Sequence, residues 1–241
     1  MKEEDHHETR TVTHPDGACN EGVIESGCHD QRRMADRARS ALLLVDVQID
    51  FCPGGALPVP HGDRVVPVLN RYLADAVAHG MRIYASRDWH PAVTSHFKPF
   101  GGEWPPHCVQ HTPGARFHPD LQLPPSTIVI SKGDEPRRPG YSAFDGRTME
   151  GKRLIDDLRE QGVERLYVGG LATDYCVRAS VLDARRAGLE VTVLGDAVAG
   201  IDLHAGDSDR AIADMREAGA AVTTAAECAF ATEKASAVPH R

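Results

Sequence analysis

Six short runs that are apolar almost from end to end recur along this chain, and they restrict its fold more than any other feature. They are ALLLVDV (41–47), MRIYAS (81–86), STIVIS (126–131), RLYVGG (165–170), EVTVLGD (190–196) and AAVTT (220–224). A strand that is apolar on both faces is buried on both, which is the condition of a parallel sheet covered by helices. The stretches 63–79, 149–161, 175–187 and 207–218 read as those helices. In the third of them Val177, Val181 and Ala184 recur at helical spacing and Gly188 supplies a stop. The alternation predicts an α/β fold of three layers, with a mostly parallel sheet of about six strands flanked by helices. Only 87–125, rich in His, Pro, Gly and Trp, breaks the rhythm. A loop of that length inside a compact domain is more often functional than idle.

Charge and cysteine usage narrow the function classes. The net charge is −8 and no Lys/Arg cluster is present, which argues against nucleic acid or an anionic membrane as partner. No apolar run approaches the ~20 residues that cross a bilayer, and MKEEDHHETR at the start lacks the layout of a secretory signal. Cysteines 19, 28, 52, 108, 176 and 228 are scattered without a CxxC pair, which suits reduced thiols in a cytoplasm. Residues 1–38 are charged and aperiodic and are expected to form a disordered extension, with His6, His7, His14 and His29 solvated. The expected domain spans 39–228, followed by a flexible tail over 229–241.

Open parallel sheets bind ligands beyond the carboxyl ends of their strands. Four strands here end in, or lead to, an unusual polar residue: Asp46, Asp88, Lys132 and Cys176. Each alone has an ordinary explanation, since an aspartate caps turns, a lysine reaches solvent and a lone cysteine fills a core. Together, three of them make chemical sense. Cys176 falls in the first turn of a predicted helix, where free N–H groups and the dipole favour a thiolate. Lys132 would stabilise that thiolate by charge, and Asp46 could take and return its proton. The backbone N–H groups of Ala172 and Cys176 are best placed to hold a developing oxyanion.

The loop RDWHPAVTSHFKPFGGEWPPHC forms a second group. Asp88 and His90 stand two apart and share one side of an extended segment, and His96 and His107 follow. One carboxylate with two or three imidazoles suits one divalent metal ion, Zn²⁺ first and Fe²⁺ or Mn²⁺ next. His111 and His118 have no partner at sensible spacing and read as surface residues.

The blocks VDVQIDF, DWHP, WPPHCV, TPGARFHP, KG, YSAF and GLATDYCV, in that order over about residues 41–225, resemble the isochorismatase-like cysteine hydrolase superfamily, and within it the nicotinamidases (pyrazinamidases). The resemblance implies a Rossmann-like α/β hydrolase with Asp46, Lys132 and Cys176 as triad and a non-proline cis peptide before Ala172. It implies a metal held by Asp88, His90 and His107, with His96 matching a fourth ligand found in some members. Phe51, Trp104 and Tyr141 match the aromatic walls of the pocket, and Tyr175 a pocket position whose identity varies. The longer loop from Lys132 to Tyr141 is a departure, as is His111 where a glycine is usual. The implied reaction is hydrolysis of nicotinamide to nicotinate and ammonia through a cysteine thioester, in NAD salvage, with homo-oligomerisation left open. The alternatives are a metal-independent relative acting on another small amide, a redox protein and a non-catalytic metal-binding or nucleotide-binding module. The redox reading lacks a resolving cysteine close in sequence to Cys176, and the nucleotide reading lacks a GxGxxG after the first strand.

Overall fold

Six strands hydrogen-bond side by side in the order β3-β2-β1-β4-β5-β6, every pair parallel. The computed structural model describes residues 39–138 and 140–226, so the expected extension and tail lie outside the described residues. The strands are β1 (Ser40–Val45), β2 (Arg82–Asp88), β3 (Ile128–Lys132), β4 (Arg165–Leu171), β5 (Glu190–Ala199) and β6 (Ala221–Thr223). The helices are α1 (Val65–Ala78), α2 (Leu154–Glu160), α3 (Arg178–Arg186) and α4 (Asp207–Glu217).

Strand β1 shows why the sheet lies in the middle. All six of its residues are buried. Leu42 and Leu44 pack with Leu69, Tyr72 and Leu73 of α1, while Ala41 and Leu43 pack with Leu154 of α2, Val181 of α3 and Met215 of α4. Period-two alternation therefore feeds two separate cores, one per face. The order reverses between β1 and β4, so the connections that leave their carboxyl ends run to opposite sides of the sheet, the place where open parallel sheets form a crevice.

Three elements differ by three residues or more from their expected bounds, among them α3, which begins at Arg178 rather than at 175. Residues 149–153 form a turn, and α2 begins only at Leu154. Gly151 is left-handed at φ 83° and Thr148 N–H bonds the Lys152 carbonyl at 2.8 Å, which closes the chain on itself before the helix. Strand β5 runs on to Ala199, with a register shift against β4 between Val168 and Gly170.

Candidate active site

The carboxyl ends of β1, β2 and β3 carry Asp46, Asp88 and Lys132, and β4 leads through Ala172 into the turn that holds Cys176. Lys132 is the hub. Its ammonium lies 2.8 Å from Asp46 Oδ2, 2.5 Å from Asp88 Oδ1, 3.4 Å from Cys176 Sγ and 3.1 Å from the Gly140 carbonyl. The lysine is fully buried, and so is Asp46. Asp46 adopts φ 49°, a left-handed conformation that aspartate tolerates better than most residues. Ser86 Oγ–H donates to Asp46 Oδ1 at 2.7 Å, which leaves Oδ2 to face the lysine.

Cys176 sits in a single widened turn over Thr173–Val177, in which Val177 N–H reaches back five residues to the Ala172 carbonyl at 3.1 Å. The peptide bond between Leu171 and Ala172 is cis, as the resemblance implies. The helix proper starts at Arg178, so the thiol stands just ahead of the N-terminus of α3.

The charges around the thiol do not favour the resting thiolate expected from sequence. Burial pushes the Cys176 thiol well up; Lys132 pulls it down, and Asp46 and Asp88 push it up again. One ammonium shared by two carboxylates has little attraction left for a third anion. Burial alone would lower Lys132, yet the two carboxylates hold it well above its ordinary value and keep it charged. Burial raises Asp46 despite the lysine, which makes it a better proton acceptor than an exposed aspartate. Burial also disfavours the Asp88 carboxylate, but Lys132, His90 and His107 outweigh it and hold its pKa far below the usual carboxylate range.

The second group gathers on the other side of Asp88. The chain after β2 doubles back, with His90 N–H bonded to the Cys108 carbonyl at 3.0 Å and Gln110 N–H to the His90 carbonyl at 2.8 Å. This brings His90, His96 and His107 together, with one ring nitrogen from each within 4.8 Å of the others. Asp88 Oδ2 lies 3.6 Å from His90 Nε2 and 3.9 Å from His107 Nε2. His90 Nδ1 faces the Gly133 carbonyl at 2.8 Å and His107 Nδ1 the Pro105 carbonyl at 2.8 Å, so each Nδ1 carries the proton. Each Nε2 lone pair then points into the cluster, the orientation that metal-binding imidazoles require. His90 Nε2 is buried with no hydrogen-bond partner, which a metal bond would satisfy. Burial, with the charges of His90 and His107, brings His96 down to about 4, so it is neutral and able to donate its lone pair. The donor set fits a small divalent cation.

Gly133 explains the KG dipeptide. It is left-handed at φ 71°, and a Cβ there would collide with the His90 ring. His111 is left-handed too, at φ 65°, which accounts for the glycine usual at that position. Its ring meets the Trp89 edge, while His118 Nδ1 accepts the Asp120 N–H at 3.2 Å; neither reaches the cluster.

A cavity joins the two groups. Asp88, His96 and His107 bound it at one end, Cys176 and Ala172 at another, and Phe51, Trp104, Tyr141 and Tyr175 wall it. Phe51 lies against His107 with ring centres 5.4 Å apart, and Tyr175 meets Trp104 edge-on at 5.1 Å. Trp104 Nε1–H donates to the Tyr141 hydroxyl at 3.0 Å, so Tyr141 stays in the wall despite its longer approach loop. Leu57 and Ile201 complete the lining. Sequence reasoning missed both, as it missed Gln48 and Ser86.

The chain matches the isochorismatase domain over residues 40–227. A nicotinamidase of Escherichia coli is 41% identical over 203 residues, covering 78% of this chain and 95% of that protein. The chain belongs to the isochorismatase family. Its similarity within that family lies toward one branch: a nicotinamidase/pyrazinamidase of Mycobacterium tuberculosis is 40% identical over 74% of this chain and 95% of that protein. The crystal structure of the Pyrococcus horikoshii pyrazinamidase in complex with zinc superposes with a TM-score of 0.72 at 46% identity. It covers 77% of this chain and 99% of its own. This isochorismatase-family chain therefore has the parallel α/β sheet of those enzymes, and no helix among its described residues is long and apolar enough to cross a membrane.

Proposed function

We infer that the protein is a nicotinamidase, converting nicotinamide and water to nicotinate and ammonia, as its nicotinamidase relatives are named for doing. The observation that carries this reading is one cavity that reaches Cys176 of the Lys132-centred triad at one end and His96 and His107 of the three-imidazole cluster at the other. A metal-independent amidase would leave the histidine cluster and its orphaned His90 nitrogen without a role.

Asp88, His90, His107 and His96 would hold one divalent ion, with zinc favoured by the nitrogen-rich donor set. When bound, that ion supplies a Lewis-acidic partner for the pyridine nitrogen, which orients the carboxamide toward Cys176. Phe51, Trp104, Tyr141 and Tyr175 hold the ring. As Cys176 Sγ attacks the carbonyl carbon, Asp46 Oδ2 takes the thiol proton, and the Lys132 ammonium, in contact with both groups, steadies the negative charge as it passes from the carboxylate to sulfur. The Ala172 and Cys176 amides face the carbonyl oxygen as it gains charge; one such donor contributes on the order of 10²–10³ in rate. Asp46 passes its proton to the departing amine, and ammonia leaves with the thioester formed. Asp46 then takes a proton from the attacking water, nicotinate leaves, and the proton returns to sulfur. The cavity gives this reaction its orientation, and well-oriented intramolecular attack lowers barriers by several kcal/mol.

Ammonia release from nicotinamide, measured before and after chelation, tests the reading. Zinc-restorable turnover is expected; turnover indifferent to chelation would favour the metal-independent alternative. The catalytic unit proposed is residues 39–228, acting in NAD salvage in the cytoplasm.

A further inference from the structure

Gln48 lies two residues beyond Asp46, is fully buried and cannot titrate. Its carboxamide makes three hydrogen bonds, two of them with the backbone of Asp88. Oε1 accepts the Asp88 N–H at 2.7 Å, and Nε2 donates to the Asp88 carbonyl at 2.8 Å and to the Ala115 carbonyl at 2.9 Å. The orientation of the amide follows from its partners, since one side faces an N–H and the other faces two carbonyls.

The backbone explains why a side chain does this work. Strand β1 pairs with β2 from Ala41↔Arg82 to Leu44↔Ala85, and Asp46 N–H still reaches the Ser86 carbonyl at 3.2 Å. At Asp46 the chain turns left-handed, and Gln48 N–H folds back on the Asp46 carbonyl at 2.8 Å. The main chain of β1 thus leaves β2 before Asp88, whose N–H and carbonyl are turned to that side. The Gln48 amide replaces the missing strand. A buried backbone N–H and carbonyl left unpaired would each lose their hydrogen bonds to water with nothing in return. Its third bond, to Ala115, ties the same point to the long loop that carries the histidines.

We propose that Gln48 is a positioning residue for the metal centre. It holds the end of β2 so that the Asp88 carboxylate stands between the Lys132 ammonium on Oδ1 and the His90 and His107 imidazoles on Oδ2. The inference rests on the metal reading above, and its effect is on metal affinity and substrate alignment rather than on the thiol. Partners of metal ligands typically change metal affinity 10–100-fold when lost.

Two variants test it. Gln48→Glu keeps the size and the acceptor but turns an oxygen toward two carbonyls, and Gln48→Met keeps the bulk and removes all three bonds. Zinc affinity of each metal-stripped protein is measured by competition with a chelating dye, beside wild type, with melting temperature and Cys176 alkylation. The expected result is zinc affinity weakened about 10–100-fold, a KM for nicotinamide that rises more than kcat falls, and alkylation near the wild-type rate. Wild-type zinc affinity in either folded variant overturns the role, including when its melting temperature falls. Loss of the fold in both variants makes Gln48 a packing residue and overturns it too. A wild-type protein that binds no zinc overturns the metal centre itself, and this role with it.

Discussion

The site has two halves that are built differently. The triad half stands on strand ends: Asp46, Lys132 and, one turn after β4, Cys176, all buried and all held by direct charge contacts with one ammonium. The histidine half stands on a loop without regular pairing, and its shape comes from isolated contacts. His90 and His107 are oriented by backbone carbonyls, and the Cys108 N–H donates to Asp50 Oδ2 at 2.7 Å. Asp88 is the hinge between them, with one oxygen in each half. Sheet ends give rigid placement of few groups; the loop gives a wider cage that needs its own supports. In the proposed reaction the covalent chemistry falls to the strand ends, and recognition of the ring falls to the loop.

The largest effect should come from the triad half. Cys176→Ala is expected to remove turnover to the limit of detection and leave the melting temperature within a few degrees, because a small residue ahead of a helix is structurally mild. Ammonia release and a thermal melt check it, and appreciable amidase activity would end the nucleophile assignment. Lys132→Ala probes the same half at the level of charge. Burial already pushes the thiol up and Lys132 pulls it down, so losing the lysine moves the alkylation midpoint of Cys176 to still higher pH. The rate against pH for a small reagent measures this, and coincident curves would remove Lys132 from its role.

The histidine half should answer to pH differently. His96 is brought down to about 4 by burial, whereas the unfolded chain holds it near 6.5. Between those values the unfolded state binds more protons, so stability falls as pH drops from about 6.5 toward 4. His96→Gln should flatten that part of the melting-temperature profile of the metal-free protein, while Cys176→Ala should leave the slope unchanged. The smallest effect is expected from removing residues 1–33, whose low apolar content gives them little to bury. Activity and melting temperature should stay near those of the full chain.

Much of this was legible in the sequence because the signals are strong where burial is two-sided. The strands were visible as apolar runs, and Asp46, Asp88 and Lys132 stood out as polar residues closing them. The histidines were visible by density in a loop that broke the rhythm. What stayed hidden depends on three-dimensional approach. Gln48 and Ser86 look like ordinary polar fillers until β1 is seen to leave β2 at Asp46. Leu57 and Ile201 reach the cavity from segments with no periodic pattern. Their places at strand ends put a lysine near the cysteine, but only distances reveal that two carboxylates already share its charge. The helix expected from 149 starts late because Gly151 turns left-handed, which a helical pattern does not register.

The central claim is that the strand-end half does the covalent chemistry and the loop half only holds the ring. Intact-mass spectrometry of the protein quenched during nicotinamide turnover tests it most directly. A nicotinoyl adduct that maps to Cys176 is expected, present in the metal-loaded protein and absent in Cys176→Ala. A metal site that generated hydroxide would hydrolyse the amide without any enzyme-bound acyl group. No adduct at any quench time, with full activity in Cys176→Ala and none after chelation, would make the protein a metallohydrolase and remove Cys176 from the chemistry.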